Sequence, residues 1–564
     1  MGVRSKTMVT MLAAAVALSA CGVDDQTDDT DTEDADAVEP SDDDEGAEEP
    51  SDDDEGAEEA SGGTLVAAIS GDPGSLNPAI TTSGIVHTAS ELMFNGLVDV
   101  VDGEVVPALA ESWDIEDDGA LYRFHLRDGV TWHDGEPFTA ADVVFTFEEV
   151  LFEFHSRTAA SLGNAIDEIV AVDDTTVEFR FPEGYGPLLL QLDHVEAPIV
   201  PKHVYEGTDI LENEANTAPI GTGPFAFASY DADAEIRLVR NDNYFEEGLP
   251  HVDEVVLRII PDEGTALAAL ETGEVDFLFS APGPELDRLE ADPAFEFLRT
   301  AVNPGGSNCI MTLSFNLDRV MFDDVRTRRA IGHAIDRDQF IERVTFGQGR
   351  VAQAPIHSNI AFAHAPEVEL PEFDRDAAAA LLDEVGWVRD GDGVRTAQGV
   401  GGIEDGTELT FEFLAFPIFG SYGELLRAQL EEVGIEVILD TQEPPVFIET
   451  VFTDRAFDTN VVSYCNGPDP EIGVRRMYLS SNIAPIPFSN SSAYVNEQVD
   501  AMFDDAVRTV DPDARGEIYA AISEQLAEDL PYLWLVETES TRVFTADCRE
   551  FEQAGHFAKT ARCG

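Results

Sequence analysis

Between Gly22 and Gly63 the chain holds nothing from which a core could be built, and this confines any fold to the residues that follow. The stretch carries 21 Asp or Glu, shows no hydrophobic periodicity, and contains the decapeptide PSDDDEGAEE twice in tandem, at 40–49 and 50–59. Repelling like charges, low hydrophobicity and Gly, Pro and Ser content together specify an extended, disordered linker. A calcium reading of the acid runs is the alternative, but they lack the glycine and terminal glutamate that a calcium loop needs.

Without that linker and the two basic residues near the N-terminus, 92 acidic residues face 30 basic ones, a net charge of about −62 on the remaining body. Lysine occurs only at 6, 202 and 559, so arginine carries nearly all the positive charge. Such a surface repels nucleic acid and anionic lipid, and at ordinary ionic strength it strains the compact state by self-repulsion. At 1 M salt the Debye length falls to ~3 Å and the strain is screened. The expectation is an acidic, halophilic protein.

Upstream of the linker, Arg4 and Lys6 precede an apolar run from Met8 to Ala20, too short for a permanent membrane span and typical of a signal peptide. Leu18, Ser19, Ala20, Cys21 and Gly22 resemble the bacterial lipobox, which implies cleavage before Cys21 and lipidation of its sulfur. An ordinary signal peptide with an incidental cysteine is the alternative. Of the five cysteines, four then remain, enough for two disulfides. Cys548 and Cys563 bracket a short stretch and leave Cys309 with Cys465, while free buried thiols stay open as the other reading.

The body, at roughly 500 residues, exceeds one compact core and suggests two or three lobes. Strict alternation marks strands at Tyr122, Phe124 and Leu126, at Val177, Phe179 and Phe181, and at Val255, Leu257 and Ile259. Asp128-Gly129 and Asp134-Gly135 mark tight turns. Thr139 followed by Asp142 reads as a near capping box opening a helix. Further helices are expected over 263–270, 325–335, 375–385, 422–433 and 512–528. Alternation of strands and helices without a repeat argues for α/β lobes.

The constellations that catalysis requires are missing from the sequence. There is no Gly-x-x-x-x-Gly-Lys, no His-Glu-x-x-His and no Gly-x-Ser-x-Gly, and Gly221 and Gly223 lack the third glycine of a dinucleotide turn. His133 beside Asp134 sits in a turn, where local packing or bonding is its expected role. The expectation is a non-enzyme without a cofactor or a metal site; His87 and His357 would have to approach in the fold for nickel to be held through histidine.

Four ordered blocks then carry a resemblance: VPALAESWDIEDDGALYRFHLRDGVTWHDGEPFTAADVVFTFE from Val106, PIGTGPFAFASY at 219–230, SFNLDRVMFDDVRTRRAIGHAIDRDQFI from Ser314, and FDRDAAAALLDEVGW at 373–387. They resemble the family 5 extracellular solute-binding proteins of ABC importers, the dipeptide, oligopeptide and nickel binders, across nearly all of residues 70–535. The resemblance implies a two-lobed α/β fold of the periplasmic-binding-protein type II class, with an inserted subdomain and hinge bending. Its expected boundaries are 1–21 signal peptide, 22–63 linker, 64–84 with 219–308 and 533–564 for lobe I, 85–218 for the insertion, and 309–532 for lobe II.

Peptide capture is the function the resemblance implies, with a nickel chelate, opine, sugar or other small solute as the alternative and an extracellular hydrolase or adhesin as the reading from another class. The implied partners are the ligand, membrane permease subunits and the membrane itself through the lipid at Cys21, with the protein a monomer on the extracytoplasmic face. By analogy the ligand lies between Thr81, Thr82, Ser83 and Gly84 on one side and the segment Ser463, Tyr464, Cys465, Asn466, Gly467, Pro468 and Asp469 on the other, with Tyr464, Cys465, Asn466, Gly467 and Asp469 as the contacts expected there. Peptide binders of the family place an aspartate after this strand for the ligand's α-ammonium; Asn466 or Gly467 stands there in this chain, and Asp469 is the nearest substitute. The family also carries a disulfide in a comparable place, which favours Cys309 with Cys465.

Overall fold

The structure is a computed structural model that describes residues 62–101, 103–300, 308–552 and 555–563. The signal peptide, the Cys21 lipobox and all but the end of the acidic linker lie outside the described residues.

Three sheets organise the body. The first has seven strands in the order Phe295–Thr300, Ser540–Thr545, Phe277–Leu278, Thr64–Ile69, Glu254–Ile259, Glu235–Arg240 and Phe225–Asp231. The second has six, in the order Gly349–Val351, Tyr532–Thr538, Asn308–Phe315, Thr459–Asn466, Thr410–Ala415 and Glu436–Thr441. A four-stranded antiparallel sheet, Ala110–Glu116, Leu121–Leu126, Thr176–Arg180 and Glu168–Asp173, belongs to the insertion.

The alternation in the sequence maps onto these faces. Tyr122, Phe124 and Leu126 point into the core while Arg123, His125 and Leu121 between them stay partly open. On Glu254–Ile259 the alternation is weaker: Val256 is buried along with Val255 and Leu257, because this strand lies inside a sheet covered on both sides. Glu178 is buried where alternation would expose it, and Arg123 from the adjacent strand and Arg180 two residues along its own strand neutralise it.

Helices start where capping residues stand. The Asp142 carboxylate accepts from the Thr139 N–H at 2.9 Å, and Asp262, Asp374 and Asp511 cap Glu263–Glu271, Arg375–Val385 and Pro512–Asp529 with their side-chain oxygens. Val325–Ala334 and Gly420–Glu432 complete the expected set. Ser156–Ala165 and Glu497–Arg508 are two further helices, the second capped by Asn496.

One core runs from Leu65 through the whole insertion to Phe279 and takes in Phe544–Ala561; the other holds only residues between Ile310 and Val536. The insertion and the first sheet are thus one body and the second sheet with its helices another. The chain crosses between them after Thr300 and again at Glu539, between Tyr532–Thr538 in the second sheet and Ser540–Thr545 in the first. The second crossing falls later than the boundary expected at 532/533, because Leu533, Trp534 and Val536 pair with Asn308–Phe315 and stay in the second core.

Candidate functional site

A cavity of about 1130 Å³ lies between the two bodies. From the first body its wall takes Thr82 and Gly84, and also Ser156, Arg157, Ala160 and Ser161, neighbouring positions on successive turns of Ser156–Ala165. From the second body come Cys309 and Met311 on one strand and Ser463 and Cys465 on its partner, followed by the segment Glu471–Gly473, Arg475 and Arg476, and the apolar Phe419, Leu479, Ile486, Pro487 and Phe488.

Two buried histidines hold the first body's part of this wall. The His87 ring lies 2.9 Å from the Thr81 carbonyl oxygen and so fixes the turn at 81–84. It meets His155 edge-on with centroids 5.9 Å apart, and His155 begins the helix carrying Arg157 while bonding Thr158 at 2.8 Å. Burial, helped by the Arg157 charge, pushes the His87 imidazole down to about 3, so it supports the wall as a neutral ring.

Cation charge dominates the wall, in contrast to the acidic body. Arg157 pairs with Glu196 at 3.0 Å, and burial raises that carboxyl to about 7 against the pull of Arg157. Arg475 pairs with Glu471 at 2.9 Å and with Asp504; burial raises Glu471 to about 7 as well. Arg476 has no carboxylate partner among the described residues, and its buried Nε has no hydrogen-bond acceptor. Burial lowers its guanidinium, with Arg157 lowering it further from the other body while Tyr464 and Glu196 oppose. Two cations from opposite bodies thus share one field, with Glu196 as the acid between them.

Of the residues expected from sequence, Thr82, Gly84 and Cys465 reach this wall. Thr81 and Ser83 shape the turn beside it, Ser83 as the residue before Gly84–Ser90. Tyr464, Asn466, Gly467 and Asp469 are corrections. Strand Thr459–Asn466 turns alternate side chains to opposite faces, so Ser463 and Cys465 face the cavity while Tyr464 and Asn466 are buried behind it. The Tyr464 hydroxyl meets Ser491 at 3.0 Å, and the Gly467 N–H donates to the Ile472 carbonyl at 2.9 Å. Asp469 is fully buried in an ion pair with Arg515, at 2.8 Å.

Cys309 lies directly opposite Cys465 in the antiparallel pair, and the structure joins their sulfurs at 2.03 Å; Cys548 and Cys563 are joined in the same way. His133 is used locally: its Nδ1 accepts from the Gly221 N–H and its Nε2 lies 3.0 Å from the Gly223 oxygen. His87 and His357 belong to separate bodies, burial pushes the His357 ring down to about 3, and among the described residues no three His, Cys, Asp or Glu gather as a metal site. Among the described residues no helix is long and apolar enough to cross a membrane.

Residues 104–485 match the family model described as bacterial extracellular solute-binding proteins, family 5. The chain belongs to this family. It is 26% identical to heme-binding protein A of Haemophilus influenzae over 84% of this chain and 87% of that protein. It is 28% identical to the dipeptide-binding protein of Escherichia coli over 83% and 88% respectively. Among solved structures, the DppA periplasmic binding protein of Helicobacter pylori in complex with the peptide STSA superposes with a TM-score of 0.72 at 25% identity, covering 89% of this chain and 98% of that one. Family 5 members are solute-binding proteins, and this chain shares their fold of two α/β bodies.

Proposed function

We propose that this protein is the capture subunit of an ABC importer, tethered outside the cell by lipid on Cys21, and that it takes peptides into the cavity between its two bodies. One observation carries the reading of the ligand: among the described residues Arg476 has no carboxylate partner, and it lies within electrostatic reach of Arg157 on the opposite body. A ligand carboxylate between them relieves their mutual repulsion and gives buried donors their acceptor, gains available only when the bodies are together. The cavity, at about 1130 Å³, exceeds what a single amino acid fills and lies just above the ~300–1,000 Å³ of small-molecule sites, which suits an oligopeptide. The peptide-binding relatives support the same assignment. The closed form then presents the solute to the membrane permease.

Mass spectrometry of whatever copurifies with the native protein, followed by calorimetry with that compound and its amidated counterpart, tests the reading. Peptides with a free C-terminal carboxylate are expected to bind at least tenfold more tightly than their amides. Equal affinity for both overturns the role of Arg157 and Arg476.

The second reading, a non-peptide solute bearing carboxylates, draws on a different observation. The acid expected after the strand for a peptide's α-ammonium is replaced by Asn466 and Gly467, Asp469 is committed to Arg515, and Glu471, the acid on the wall, is paired with Arg475. A relative named for heme binding suits this alternative. Binding of an anionic chelate or porphyrin in the absence of any peptide binding decides for it.

A further inference from the structure

Outside the cavity the two bodies meet at a second place, formed by neither crossing strand. The insertion presents the turn at Asp118–Gly119 and the segment Glu183–Gly186; the second body presents the end of helix Glu497–Arg508 and the link to Pro512–Asp529. The Gly186 N–H donates to the Val507 carbonyl at 2.8 Å, and Glu183 pairs with Arg508 at 2.8 Å. Val507 packs against the core of the first body although its helix belongs to the second.

Side chains are missing where the contact is closest. A Cβ on Gly186 would stand 2.1 Å from the Thr509 carbonyl oxygen and 3.0 Å from Arg515 Cδ; one on Gly184 would stand 2.9 Å from the Arg508 oxygen; one on Gly119 would stand 2.2 Å from Val510 Cγ2. Gly119 also has φ +84°, a conformation that glycine adopts without strain. Beneath the contact, the buried Arg515–Asp469 pair fixes the ground on which Gly186 rests, with the Arg515 Nε donating to the Ala506 carbonyl at 3.1 Å.

We propose that Gly186 and Gly119, seated on Val507, Thr509 and Val510, act as a latch that sets ligand affinity from outside the cavity. This rests on the capture function proposed above. Any relative rotation about the two crossings moves one face of this contact against the other. Backbone meets backbone there, so the contact forms only over a narrow range of closure. Ligand affinity falls with the fraction of molecules able to close, so these positions act on every ligand alike.

Gly186→Ala blocks the contact sterically, and Val510→Ala loosens it without a clash. The first test needs no ligand. In hydrogen–deuterium exchange on the unliganded full chain, the amide at 186 is slow in the wild type and at least tenfold faster in both variants, while amides of strands Leu121–Leu126 and Thr459–Asn466 are unchanged. An amide at 186 that exchanges at the same rate in all three proteins overturns the proposal. Faster exchange of the two strands as well marks unfolding in place of latch opening, and equally overturns it.

A casein tryptic digest serves as the binding probe. Peptides retained by the wild type and held about tenfold more weakly by both variants support the latch, and equal retention overturns it. A digest from which the wild type retains nothing counts against peptides as the ligand, and the exchange rates then decide the latch by themselves.

Discussion

Replacing Asp469 separates two roles for its carboxylate, contact with a ligand and support of the second body's interior. As a ligand contact, Asp469→Asn would weaken peptide binding and leave stability alone. As placed in the fold, its side chain is 0% exposed, Arg515 beside it is 3% exposed, and the two meet at 2.8 Å with a second bond at 3.0 Å. Removing one partner of such a pair strands the other charge away from water and costs about 3–5 kcal/mol. Arg515 has few other acceptors to turn to, and none of them charged: the Ala506 carbonyl, the Tyr519 hydroxyl at 3.3 Å and the faces of Phe362 and Tyr519. For a body of this size each kcal/mol moves the melting temperature by about 2–4 °C, so a fall of roughly 6–20 °C is expected for the second body. Calorimetric scans at fixed pH and salt measure it. The pair Asp469→Asn with Arg515→Met, which removes both charges, should recover a good part of the loss. An unchanged melting temperature combined with lost peptide affinity would refute the structural role and restore Asp469 as a ligand residue.

Three further outcomes follow from the charge arrangement. Arg476→Gln should weaken carboxylate ligands about tenfold or more, the scale of a charged hydrogen bond, with little change in melting temperature, because no carboxylate among the described residues pairs with Arg476 directly and Glu196 keeps its ion pair with Arg157; a melting temperature that falls with it would mean a structural role. Glu471, raised by burial from its ordinary range to about 7, binds its proton more readily folded than unfolded, so its contribution to stability is present at low pH and is lost as pH rises through about 7. The stability of the wild type relative to Glu471→Gln should therefore fall between about pH 5 and pH 7.5, and a difference that is constant with pH excludes the shift. With 92 acidic against 30 basic residues on the body, the melting temperature should rise from low to molar salt, and a flat or falling curve removes self-repulsion as a term in its stability.

The fold was legible wherever local chemistry repeats. Strand Leu121–Leu126 announces itself by alternation, and the helices from Glu263, Arg375 and Pro512 by an aspartate one residue ahead. The site was less legible, for two reasons. The segment from Tyr464 to Asp469 reads as one contiguous contact, whereas a strand offers only alternate residues to one face, and this rule alone would have kept Cys465 and removed Tyr464 and Asn466. Helix Ser156–Ala165, with the sequence SRTAASLGNA, has no long apolar side chain but Leu162, so nothing in the sequence marks Arg157 as a wall residue. A usable signal was the doublet Arg475–Arg476: adjacent arginines occur at one other place, Arg328–Arg329, in a chain otherwise so acidic.

The latch and the arginines divide the work of capture in a way that follows from how a two-state equilibrium is biased. A ligand shifts closure only by the difference in its affinity for the two states, and contacts that every closed molecule makes, such as Gly186 on Val507, contribute the same amount whatever is bound. The latch therefore sets how readily the bodies close, and the cavity wall decides for which solute. Arg157 and Arg476 suit the second task because they come from opposite bodies and repel, and Glu196, raised by burial to about 7, offsets only part of that repulsion until a ligand anion lies between them. In molar salt, with a Debye length near ~3 Å, they would not draw ligands in from a distance, and the acidic exterior would not turn anions away. Selection then rests on contact geometry inside the cavity, where salt reaches least, and this is the place where a strongly acidic protein can still prefer an anion.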